Sequence, residues 1–253
     1  VLPDFKEVTR ARLGTAPDLE SVSEGGEYTY GDLTEGGETY RVFKYGKIVA
    51  LTYEALINDD MSAFTRIPAK LAAAAAHMES DLFWAQVTSN PDMGDSSPVF
   101  GSGNQIDTAT NVDIDALNAV RADMRKQKDG TKYLNLRPQY LIVPVAQEGY
   151  AEQVIIPAPA QYTAEDPNHW AGRMRLIVEP RLDDVTGDNY WYAFADPALI
   201  DTVAYAYLRG EESPQLFTEQ GFDVDGLKLK IRHSFGAKVL DRKGLHRTKY
   251  TAA

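Results

Sequence analysis

From Pro68 to Thr88 nothing in the chain interrupts a helical pattern. No glycine or proline follows Pro68, and the alanines from Ala72 to Ala76 have the best helix propensity of any residue. Pro68 suits a first helical position, where its missing N–H costs nothing, and Asn90-Pro91 ends the run. Leu71, Ala75, Met78, Leu82 and Ala85 recur at steps of four and three and so form one stripe. At ~1.5 Å per residue the rod is roughly 30 Å long, about the width of a small domain. Just upstream, Asn58, Asp59 and Asp60 offer cap oxygens to a shorter helical turn carrying Met61, Ala63, Phe64 and Ile67, and Pro68 bends the path between the two pieces. The expectation is a bent two-part spine that carries no chemistry.

A spine needs a domain around it. The 253 residues supply enough apolar content for one large or two small domains. Cysteine is absent, which excludes disulfides and thiolate catalysis. No apolar run approaches the ~20 residues of a membrane span, and no signal-peptide pattern opens the chain. The net charge of −11 argues against general affinity for nucleic acid. Its distribution says more than its total. Residues 18–38 hold Asp18, Glu20, Glu24, Glu27, Asp32, Glu35 and Glu38 without one Lys or Arg. Lys228, Lys230, Arg232, Lys238, Arg242, Lys243, Arg247 and Lys249 reverse the sign at the far end. Two readings stand: solvated faces, or opposite patches that meet between neighbouring copies and set register.

Residues 1–20 read as an extended arm with little structure of its own. Tyr28 and Tyr30 alternate with polar neighbours, Glu35-Gly36-Gly37 is a turn signal, and Thr39 to Thr52 reads as a returning strand. That ribbon is too acidic and glycine-rich to bury itself, and two strands alone are marginal in water. It either lies on its own domain or is completed by another molecule. A loop at 91–112 precedes a helix from Asp113 that carries Ile114, Leu117, Val120 and Met124 on one face and ends at Gly130. Tyr140 to Val145 suits a buried strand, Gln147 to Val154 a short helix, and Met174 to Val178 with Asn189 to Phe194 a strand pair around the acidic turn Asp183 to Asp188. With a strand at Ala198 to Leu208, these elements make a compact unit at 114–208. Leu227, Leu229 and Ile231 alternate with Lys228, Lys230 and Arg232 as a strand with one buried and one basic face, returning to pack by the spine.

The search for chemistry finds no catalytic pattern. His77, His169, His233 and His246 show no ligand spacing, and His77 reads as a polar flank of the spine. Gly101-Ser102-Gly103 lacks the rest of any phosphate loop, and no nucleophile elbow is present. Asp183, Asp184 and Asp188 could hold a cation, but an acidic turn is usually just solvated; Asp223 and Asp225 flank another turn. Trp84, Trp170 and Trp191 read as core or interface anchors.

Three strings resemble one family in the same order along nearly the whole chain: PDFKEVTRARLGTAPDLESVSEGGEYTYG at the start, INDDMSAFTRIP leading into the spine, and HSFG…DRKGL at 233–245. They are similar to the major head subunit of Mu-like tailed phages and prophages. The resemblance implies an α+β fold of the Hong Kong-phage capsid type: an arm at 1–20, an extended E-loop hairpin at 21–53, a peripheral domain with the spine helix at 54–112 and return strands at 209–253, and an axial domain at 113–208. It implies a structural protein, with no cofactor, metal or catalytic residue, whose hexamers and pentamers build an icosahedral head around double-stranded DNA. Partners would be further copies of the chain, with scaffold, portal and decoration proteins, and no membrane. The intersubunit contacts expected on this reading are Tyr28, Tyr30, Glu35 and Glu38 on the ribbon, with Lys228, Lys230 and Arg232 as acceptors. Two other classes stand beside it: an α+β hydrolase or nucleotide-binding enzyme using 114–208, and a non-viral nanocompartment shell.

Overall fold

A computed structural model describes residues 1–13, 21, 35–58, 66–156, 168–183, 189–220 and 225–251. The chain divides into two compact units, one of Val1–Val8, Thr39–Gln86 and Ala204–Lys238, the other of Thr9–Glu38, Val87–Val203 and Val239–Ala253.

In the first unit the spine is α2, Ile67–Thr88, as its uninterrupted sequence predicts, with Pro68 in its first turn. Ala75 and Val87 are its buried points, while Leu71, Met78 and Leu82 are half-buried. Ala85 is exposed, and Val87, two positions on and so about 200° around the helix from it, is buried on a different side from the expected stripe and belongs to the second unit. A short helix α1, Tyr53–Ile57, was not foreseen, and the expected turn from Asp59 lies largely outside the described residues. The spine packs on a four-stranded sheet in which the long strand β12, Gly226–Val239, is central. It pairs antiparallel with β3, Phe43–Thr52, and with β11, Gln215–Gln220, and also neighbours β10, Val203–Tyr207. Gly46 permits the β3 approach, since a Cβ there would sit 2.7 Å from the Ile231 carbonyl oxygen. Leu229 and Ile231 are buried on one face of β12, as the alternation predicts, Leu227 is half-buried, and His233 and Phe235 continue the buried face.

Glu79 joins helix to sheet. Its Oε1 accepts from His233 Nε2 at 2.6 Å and its Oε2 from the Tyr207 hydroxyl at 2.9 Å. The Tyr207 phenol is pushed up to about 12, first by burial and then by the Glu79 carboxylate.

In the second unit a five-stranded sheet runs in the order β4-β13-β9-β7-β8. These are Gln105–Ile106, Leu245–Tyr250, Asn189–Ala195, Pro138–Val143 and Arg175–Val178. The expected pairing of the Met174 and Asn189 strands does not form, because β7 lies between β8 and β9. β7 is apolar on both faces and therefore suits the interior of the sheet. The helix α4, Glu148–Ile155, links the parallel pair β7 and β8. The helix α3, Ile114–Lys126, starts where Asp113 accepts from the Ala116 N–H at 2.7 Å, and lays Leu117, Val120 and Met124 against Leu141, Trp191 and Ala193. Gly130 does not end α3. It has φ +60 in the turn of a small hairpin, β5 (Lys128–Asp129) with β6 (Lys132–Tyr133). The unit differs from the expected 114–208: β13 and the 87–112 loop belong to its sheet and core, while 204–208, with most of β10, belong to the first unit.

The N-terminal residues depart furthest from expectation. The described part of the arm, residues 1–13, is structured: Leu2 is buried beside Val42 and Ala206, its N–H bonds the Tyr207 carbonyl at 2.8 Å, and its own carbonyl accepts from the Arg209 N–H. β1, Val8–Leu13, pairs with β2, Glu35–Tyr40. Glu35-Gly36-Gly37 is therefore strand rather than turn, and the expected 39–52 strand breaks at Arg41-Val42 into members of two sheets. Backbone hydrogen bonding to β1 outweighs the local turn preference of the glycines. The strand expected at Ala198–Leu208 shortens to β10, since Asp196 turns the preceding residues by accepting from the Ala198 N–H.

Candidate intersubunit surface

The alternation of β12 builds a face from its charged residues. Lys228 stands opposite Ala50 of β3 and Glu219 of β11, Lys230 opposite Ile48 and Phe217, and Arg232 opposite Gly46 and Gln215. Lys44, two positions beyond Gly46 in β3, points the same way. Lys44, Lys228 and Lys230 are exposed, and so are two large apolar neighbours, Ile48 at 60% and Phe217 at 41%. The Lys230 ammonium lies 4.8 Å from the Phe217 ring centroid, and the Arg232 guanidinium 5.2 Å from it. The result is a cationic strip with an aromatic and an aliphatic side chain set into it, a combination that attracts carboxylates and rings together.

The seven contact candidates from the sequence fall into three groups. Lys228 and Lys230 project from the strip. Arg232 is half-buried and ion-paired with Glu211, so its charge is largely met within its own chain. On the acidic side, Glu38 Oε1 accepts from the Gly94 N–H at 2.8 Å, again within its own unit. Glu35 opens β2, but its side chain lies outside the described residues, as do Tyr28 and Tyr30. Sequence reasoning missed Lys44, Ile48 and Phe217. Lys44 and Ile48 sit in the strand expected at 39–52 and Phe217 in β11, which was not expected, and only the β3–β12–β11 register brings them beside the lysines.

Asp183 Oδ2 accepts from the Val145 N–H at 2.8 Å, at the start of the 3₁₀ turn Val145–Gln147, while Asp184 and Asp188 lie outside the described residues. Among the described residues no group of three His, Cys, Asp or Glu could hold a metal ion, and no helix is long and apolar enough to cross a membrane. Trp170 and Trp191 are core residues; Trp191 donates to the Thr110 carbonyl, and Trp84 is half-buried.

Comparison with known proteins supplies what the surface alone does not. The fold is similar to the asymmetric unit of the bacteriophage PhiM1 mature capsid, with TM-score 0.68 and 12% identity over 98% of this chain and 82% of that one. It is similar to the capsid of a native GTA particle, with TM-score 0.67 and 10% identity over 97% and 85%. It is also similar to a chain from Gordonia phage Cozz, with TM-score 0.63 and 13% identity over 100% and 84%. No curated protein sequence matches it. At these identities the likeness establishes the α+β fold of phage capsid subunits. A family model described as phage capsid protein matches residues 36–248, most of the chain and both of its units. On that match the chain belongs to the phage capsid protein family.

Proposed function

We propose that copies of this chain assemble into hexamers and pentamers of an icosahedral head that encloses double-stranded DNA. As a phage capsid protein it is a structural component of the virion rather than an enzyme. In the proposed shell the unit carrying α2 serves as the peripheral domain and the unit built on the five-stranded sheet as the axial domain. The β1–β2 ribbon, with the acidic segment it carries, serves as the E-loop, and the first residues as the arm. Scaffold, portal and decoration proteins are the proposed further partners.

The observation that supports self-assembly most directly is the exposed strip of Lys44, Lys228, Lys230, Ile48 and Phe217 on a chain of net charge −11. Cations set around exposed apolar side chains make a good partner surface. A complementary sequence exists within the chain itself: residues 18–38 carry seven acids and no base, together with Tyr28 and Tyr30. We therefore take Tyr28, Tyr30 and Glu35 of one copy to meet Lys228 and Lys230 of the next. Glu38 and Arg232 contribute less, because each has a partner in its own chain.

The test is assembly of the purified chain, followed by negative-stain microscopy and light scattering. The wild type is expected to give closed shells or capsomer rings, and K228E/K230E to lower the yield severalfold with a weaker dependence on ionic strength. Discrete monomers or dimers of the wild type at every concentration and salt would overturn the shell reading. Equal yields and salt dependence in the two proteins would overturn the electrostatic contact alone.

A further inference from the structure

Both strands of the β1–β2 ribbon make a polar contact to the rest of the second unit near their feet. From β1, Arg10 Nη2 reaches Asp201 Oδ1 at 3.2 Å. From β2, Glu38 accepts from the Gly94 N–H at 2.8 Å. Gly94 is suited to the contact, since a Cβ there would lie 3.1 Å from the Glu38 carboxylate oxygen and 3.5 Å from the Gly37 carbonyl oxygen.

The two receivers are held by one short segment. The Leu240 and Asp241 N–H groups both bond the carbonyl of Thr202, next to Asp201. One residue later, Arg242 forks onto Asp95 beside Gly94, at 2.8 Å and 3.0 Å. That guanidinium holds the Asp95 carboxyl below its usual range, and Asp95 in turn caps the Ser97 N–H at 3.0 Å. Arg10, Gly36 to Glu38, Met93 to Asp95, Asp201 and Leu240 to Lys243 line a cleft of about 310 Å³, all within the second unit.

We propose that Arg10 and Glu38 are positioning residues for assembly: they plug the two ribbon strands into one socket built on Leu240–Lys243 and thereby set the angle at which the ribbon leaves its unit. The pins suit an adjustable joint better than a rigid one. Arg10 and Asp201 are each half-exposed, where an ion pair contributes about 0–1 kcal/mol and is screened by salt. The cleft beside them leaves room for the strands to swing. A ribbon that must reach neighbours at more than one angle needs an aim that is defined yet yields at low cost. The proposal rests on the shell reading for its consequence, but its geometry can be measured on the unassembled chain.

With no native cysteine, spin labels can be placed by A11C on the ribbon and S102C on an exposed loop of the same unit. Double electron–electron resonance on the full-length chain is expected to give a narrow distance distribution. Removing both pins (E38A/D201A) should broaden it roughly twofold, as should ~1 M salt, where the screening length is about 3 Å. In the E38A background, D201A and the swap R10D/D201R are compared: the swap should narrow the distribution again. In unlabelled protein the pin-less variant should give a severalfold lower yield of closed particles. Unchanged distributions on pin removal, or a swap that stays as broad as D201A, would overturn the proposal. So would a fall in Tm of more than about 5 °C for E38A/D201A, since the contacts would then hold the fold rather than the aim. Failure of the wild type to form shells bears on the shell reading, not on the joint.

Discussion

His246 is fully buried on β13, with neither ring nitrogen hydrogen-bonded among the described residues and Asp123 Oδ2 at 3.6 Å, beyond bonding length. Burial drives its pKa down to about 4 from an ordinary 6.5, against a smaller opposing pull from Asp123. The folded state therefore binds this proton later than the unfolded chain does. Stability from the neutral imidazole is complete above pH 6.5 and is lost as pH falls toward 4, an effect of about 3 kcal/mol. Denaturant titrations at pH 7 and pH 4 should show that loss in the wild type, over and above the loss in H246L. Equal pH dependence in both proteins would mean that the imidazole is solvated after all.

At the scale of elements, the spine is attached to its sheet through polar contacts as well as apolar packing. Glu79 bridges two strands at once, and E79A would leave the buried His233 and the Tyr207 hydroxyl without their acceptor. The expected cost is about 3 kcal/mol, read as a lower midpoint in urea at unchanged slope. In E79Q the Tyr207 phenol should titrate lower than its native value of about 12 yet above 10, because burial, the larger cause, persists. Ultraviolet titration of the phenolate measures it. For α3, D113A removes the oxygen that caps the Ala116 N–H and should cost about 1 kcal/mol in thermal unfolding, with the fold unchanged.

For the whole molecule, the two units divide the labour. The five-stranded unit holds the largest apolar cluster, while the spine unit exposes Ile48, Leu216 and Phe217 on its sheet. β11 is an end strand of that sheet and carries a single charge, Glu219, with neither Lys nor Pro to guard its edge. Such an edge is a liability in a protein that stays alone and an asset in one that is covered by its neighbours. Shell formation by the wild type should accordingly protect the β11 amides from hydrogen exchange relative to the unassembled chain, whereas the β9 amides should be slow in both states.

The sequence by itself determined whatever depends on neighbours along the chain. The spine from Pro68, the Asp113 cap, the buried run of β7 and the two-faced alternation of β12 follow from propensity, capping and period, which act over a few residues. The resemblance of three strings carried the capsid identity. Only the tertiary structure decided which strands are adjacent. Glu35-Gly36-Gly37 has a turn's composition and lies in a strand because β1, more than twenty positions earlier, supplies its hydrogen-bond partners. Glu38 looks like one acid among seven until the turn at Gly94 is folded beneath it, and Arg232 looks like a third free cation until Glu211 reaches it. Pairing between distant segments is set by summed burial and backbone bonding over the whole fold, which no local window contains.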